Sequence, residues 1–68
     1  MTKREAKRAL ATLNKIAVLN KRETELLATI PARVADDSAT VVKIIAYGSL
    51  LKHQAELLRE LATILEQV

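Results

Sequence analysis

The stretch Ser38–Val68, SATVVKIIAYGSLLKHQAELLRELATILEQV, decides how the rest of the chain must fold. Counted in sevens, Ile44, Leu51, Leu58 and Leu65 share one register, and Val41, Gly48, Ala55 and Ala62 share the one beside it. Together they make a coiled-coil-like seam in which large and small residues alternate. Leu50, Leu57 and Ile64 widen the apolar face on one side, and Tyr47, Leu61 and Val68 are expected to widen it on the other. A face this broad exceeds what a two-stranded coiled coil uses and suits a helix with several neighbours. Lys43, Lys52, Gln54, Glu56, Arg59 and Glu60 fall mostly on the opposite side. The spacing predicts one long helix over residues 38–67. Gly48 costs a helix about 1 kcal/mol relative to alanine, so close approach of a second backbone, or a bend, is the expected reason for it. Lys43, Lys52, His53 and Glu56 interrupt the apolar run too often for a membrane span.

Working outward, a chain of 68 residues makes one domain at most. A core that small is marginal alone unless it is stapled, metal-bound or oligomeric. Cysteine is absent, which removes disulfides and thiolate metal sites. Half of the residues are apolar, too many for a disordered chain, and Tyr47 is the only aromatic. Self-association through the long helix is therefore the expected route to stability, with a homodimer favoured. The interface would be built from Val41, Ile44, Gly48, Leu51, Ala55, Leu58, Ala62 and Leu65.

The N-terminal segment opens with Thr2-Lys3-Arg4-Glu5, the form of a capping box. Ala6, Ala9, Leu10, Leu13, Ile16 and Ala17 then share a face, predicting an amphipathic helix over residues 3–19. Asn20-Lys21-Arg22-Glu23 has the same cap-like shape. Either the helix breaks near Asn20 and a short helix follows over 21–29, or one helix runs through a polar patch. The run of polar residues from Asn20 to Glu25 favours the break. Pro31 ends what precedes it, residues 30–37 are expected to connect, and Asp36, Asp37 and Ser38 offer caps for the long helix. The fold class expected is all-α, two or three helices forming a hairpin or bundle completed by oligomerisation. The β-branched cluster near the start of the long helix, Val41, Val42, Ile44 and Ile45, is expected to be buried.

Charge is distributed unevenly. Up to Arg22 the basic residues Lys3, Arg4, Lys7, Arg8, Lys15, Lys21 and Arg22 face a single acid, Glu5. From Glu23 onward acids outnumber bases, so the two parts carry about +6 and −3 within a net charge of +3. Lys3, Arg4, Lys7 and Arg8 crowd the first turns of a helix, where positive charge opposes the macrodipole. Helix stability would not select them there. Lys3 with Lys7 and Arg4 with Arg8 form two neighbouring ridges that can contact phosphates; the competing reading is a solubilising surface. Without aromatic residues to stack on bases, the segment suits duplex DNA or structured RNA better than a single strand.

Nothing in the chain has the pattern of a catalytic or metal site. His53 is the sole histidine, and its ordinary reading is a solvated helix residue. Asp36 and Asp37 are adjacent on the chain, whereas acid–base pairs converge from different elements. Ser38, Ser49 and the threonines lack a base partner, and a single glycine excludes a phosphate-cradling loop. No cofactor is implied. The Arg-rich start resembles a transit peptide, but the chain beginning at Met1 argues against cleavage, and the expected location is the cytoplasm. The function expected is a non-enzymatic regulator that binds nucleic acid through the basic helix and dimerises through the long one. The alternative is an adaptor or inhibitor that docks its apolar face on another protein.

Overall fold

The computed structural model of the chain describes residues 1–30 and 38–67. Two helices account for most of them: α1, Lys3–Leu27, and α2, Ser38–Glu66. The protein is all-α. The expected connection over 30–37, with Pro31 and the caps Asp36 and Asp37, lies outside the described residues apart from Ile30. Val68 lies outside them too.

The start of α1 is set as its sequence implies. Thr2 is the N-cap in extended conformation; the Glu5 N–H donates to Thr2 Oγ1 at 3.2 Å, and the Thr2 N–H donates to Glu5 Oε1 at 2.9 Å. The reciprocal pair satisfies donors that the helix start would otherwise leave without partners. At the other end, the Thr29 and Ile30 N–H groups donate to the Leu26 and Leu27 carbonyls at 2.9 and 3.1 Å. These i→i−3 bonds tighten the last turn.

The two helices run antiparallel. Ile16 and Leu19 of α1 pack with Leu57 of α2, backed by Leu50 and Leu61, while Lys43 Nζ donates to the Thr29 carbonyl at 3.2 Å. Early positions of α1 thus meet late positions of α2. The residues withdrawn from water follow alternating steps of three and four. In α1 they are Glu5, Ala9, Thr12, Ile16, Leu19, Glu23 and Leu26; in α2 they are Thr40, Lys43, Tyr47, Leu50, Gln54, Leu57, Leu61 and Ile64. This is the seven-residue repeat of helices packed side by side along their length. Among the described residues Ile64 is the most deeply buried side chain, at 1 % exposure. Thr12, also buried, turns its hydroxyl back to donate to the Arg8 carbonyl at 3.1 Å, which satisfies it inside the seam.

Three expectations need correction. First, α1 does not break at Asn20; it is continuous from Lys3 to Leu27, and the short helix over 21–29 is its last part. The polar patch is tolerated because α2 supplies a partner for it. With its nitrogen turned toward α1, the Gln54 amide donates to the buried carboxylate of Glu23, 2.7 Å from Oε2, and to Asn20 Oδ1 at 2.9 Å. The opposite amide orientation would set its oxygen against acceptors, so the network fixes the assignment. Secondly, Leu50, Leu57 and Ile64 do not flank the α2 face on the side away from Tyr47 and Leu61. These residues together form the seam against α1. Thirdly, Val41, Val42, Ile44 and Ile45 are exposed, between 49 and 64 %.

The cap and the buried amide can each be probed. Glu5 is held below the usual carboxylate range, first by the Thr2 backbone hydrogen bond and then by the Thr2 hydroxyl. A depressed carboxylate stabilises the fold above its unfolded pKa and loses that contribution as pH falls through the folded value. Amide exchange in the first turn of α1 should accelerate below about pH 4 relative to mid-helix amides, and Glu5→Gln should remove that acid dependence. Replacing Gln54 by Leu should destabilise the protein by about 1–3 kcal/mol, since the Glu23 carboxylate stays buried without its donor. Replacing Glu23 and Gln54 together by Leu should restore or exceed wild-type stability. Urea unfolding at fixed protein concentration reads both.

Candidate functional site: two opposite faces of the hairpin

One residue on from the buried seam, each helix carries a second row. In α1 it is Ala6, Leu10, Leu13, Ala17, Asn20, Thr24 and Leu27; in α2 it is Val41, Ile44, Gly48, Leu51, Ala55, Leu58, Ala62 and Leu65. One residue rotates about 100° around a helix axis. In antiparallel neighbours related by a two-fold axis perpendicular to both, equal rotations in the same sense emerge on the same side of the pair. The two rows therefore form one face, and it carries no charged side chain. All eight positions expected as an oligomer or partner interface lie in the α2 row. Sequence reasoning misses that α1 contributes to the same face, with Leu10, Leu13 and Leu27. The α1 signal is present in Ala6, Leu10, Leu13 and Ala17, but periodicity merges them with Ala9 and Ile16, which face α2.

The face is uncovered in the hairpin. Leu10, Leu13, Leu27, Val41, Ile44, Leu51, Leu58 and Leu65 are each between 43 and 57 % exposed. Its relief is ordered. From the level of Asn20 and Ala55, a step of seven residues along both helices pairs Leu27 with Gly48 one way and Leu13 with Ala62 the other. Intermediate steps pair Ala17 with Leu58 and Thr24 with Leu51. Each of these four levels has one large and one smaller residue. The large one is on α1 at the two outer levels, Leu27 and Leu13, and on α2 at the two inner ones, Leu51 and Leu58. One step further, Leu10 stands level with Leu65.

One residue before the seam lies the other side of the hairpin, and its chemistry is different. Here α1 places Arg4, Arg8, Lys15 and Arg22, all exposed, with the acid Glu25 following them in the same row. They form a row about 27 Å long at 1.5 Å per residue. On the same side α2 carries His53, Glu56 and Glu60, so acid offsets part of the positive charge toward the middle. Lys15, Val18, Leu19, Arg22, His53 and Leu57 line an open pocket of about 220 Å³, with the buried Leu19 and Leu57 beneath. The other residues expected to touch phosphate, Lys3, Lys7 and Lys21, lie on the outer side of α1, away from its seam. The seven basic residues thus divide into a row beside α2 and an outer row, both clear of the apolar face.

Among the described residues no helix is long and apolar enough to cross a membrane. Comparison with protein-family models, with curated proteins and with solved structures returned no match.

Proposed function

We propose that the chain is a small non-enzymatic regulator of the cytoplasm. It binds duplex DNA or structured RNA through Arg4, Arg8, Lys15 and Arg22, assisted by Lys3, Lys7 and Lys21, and works as a homodimer. The observation that carries this reading is the separation of the two faces. A cationic row and a chargeless apolar row lie on opposite sides of one hairpin, so association through the second leaves the first in solvent. A row of about 27 Å corresponds to roughly eight base steps of duplex, at 3.4 Å each. Guanidinium groups dominate it, and arginine is suited to bidentate phosphate contact. A role for positive charge on the exposed side of α1 also accounts for cations in its first turn, which the helix itself does not favour.

The alternative, an adaptor or inhibitor, uses the same exposed apolar face against a different protein and assigns the basic row only a solubilising role. The two readings separate on the basic residues. Changing Arg4, Arg8, Lys15 and Arg22 to Gln should abolish binding to labelled duplex DNA and hairpin RNA at low salt, with helix content unchanged. A single change should flatten the log–log salt dependence by about one for each phosphate it leaves without a cation. Wild-type protein that binds neither probe at low salt would overturn the nucleic-acid reading.

A further inference from the structure

We infer that the apolar face is covered by a second copy of this chain and that α1 and α2 both enter that interface, giving a four-helix bundle. A pair joined through α2 alone is the arrangement this replaces. The inference rests on the self-association in the proposed function and is independent of its nucleic-acid part.

Surface area is the first ground. A folded monomer of 7.5 kDa exposes about 4,250 Å², whereas the hairpin exposes 5304 Å². The excess, about 1,000 Å², is close to the roughly 800 Å² each partner loses in a stable complex. Extension agrees: the radius of gyration is 15.8 Å, against about 11 Å for a compact domain of this length. The excess surface includes a face without charge on both helices, and not on α2 only.

Gly48 is the second ground. A methyl group added there would meet nothing within 4 Å, and its backbone φ is not of the left-handed kind that favours glycine. Within one hairpin, alanine would be the better residue by about 1 kcal/mol. A glycine in the middle of an exposed apolar row, level with Leu27, is explained by a neighbour that approaches closer than a Cβ allows.

The third ground selects a copy of the same chain as that neighbour. At four levels a large residue on one helix stands beside a smaller one on the other, Leu27 and Leu13 on α1 and Leu51 and Leu58 on α2, so each helix offers the face both bumps and hollows. An isologous contact requires such self-complementarity. Asn20 interrupts the row, with Oδ1 already taken by Gln54. A lone amide in an apolar helix interface fixes register and partner number.

The test uses wild-type protein first. In an equal mixture of isotope-labelled and unlabelled chains, filtered NOE spectra should show intermolecular contacts from Leu13 methyls as well as from Leu58 methyls. Leu13→Glu should raise the dimer dissociation constant by more than roughly tenfold, measured by sedimentation equilibrium. Val18→Glu, on the opposite side, should not. Gly48→Ala should weaken association, whereas an open face would let it stabilise the chain. Intermolecular contacts from α2 alone, none at all, or a Leu13→Glu protein that associates as wild type would each overturn the inference. Failure of the nucleic-acid reading would look different: intact dimers without salt-dependent binding.

Discussion

Two antiparallel helices have only one line of contact, and that geometry governs everything else in this protein. A single seam shields one stripe of each helix, and the stripes here hold few large, well-buried apolar side chains: Ile16, Leu19, Leu57 and Ile64, with Ala9 beside them. Each buried aliphatic side chain contributes about 1.5–3 kcal/mol, while ordering the backbone costs about 1–2 kcal/mol for every residue. A hairpin so built retains apolar surface that its own fold has no means to cover. The exposed row one residue beyond the seam is the direct result, and it is the reason the oligomeric state and the function of the chain belong to one problem.

The seam is also not uniformly apolar. Glu23, Gln54 and Asn20 form a polar layer between Leu19 and Leu26, and its hydrogen bonds tie α1 to α2 at one level. Such a layer adds little to stability relative to packed leucines, but a slip of either helix would strand the carboxylate without a donor. It therefore sets the pairing of the helices, and with it the pairing of large and small residues on the outer face. The basic row depends on the same alignment, because the place of α2 decides which side of α1 becomes an outer surface.

Much of this was legible in the sequence, to a depth set by what one helix reveals about itself. The capping box at Thr2 and Glu5 and the extent of α2 follow from local spacing, and both stand in the structure. The continuity of α1 does not, because the run from Asn20 to Glu25 reads as a break until Gln54 is known to lie at its level. Periodicity shows a broad apolar face on α2, but a broad face contains two adjacent rows, and nothing within the helix says which one meets α1. The structure assigns Leu50, Leu57 and Ile64 to α1 and leaves Ile44, Leu51 and Leu58 outside. In the same way the basic residues are visible individually in the sequence, and their division into a row beside α2 and an outer row is not. Residue identity carries the chemistry; the partner helix carries the sidedness.

Opposite sides of the hairpin should meet different surroundings in the working assembly, and solvent contact at three methyl-bearing residues addresses this directly. Val18 and Leu58 are about equally exposed in the single hairpin, at 51 and 47 %, and lie on opposite sides of it. Relaxation of methyl protons by a neutral, soluble gadolinium chelate reports their contact with solvent. Strong broadening at Val18, with protection at Leu58 and Leu13, is the expected result. Equal broadening at all three would mean that no second copy covers the apolar face.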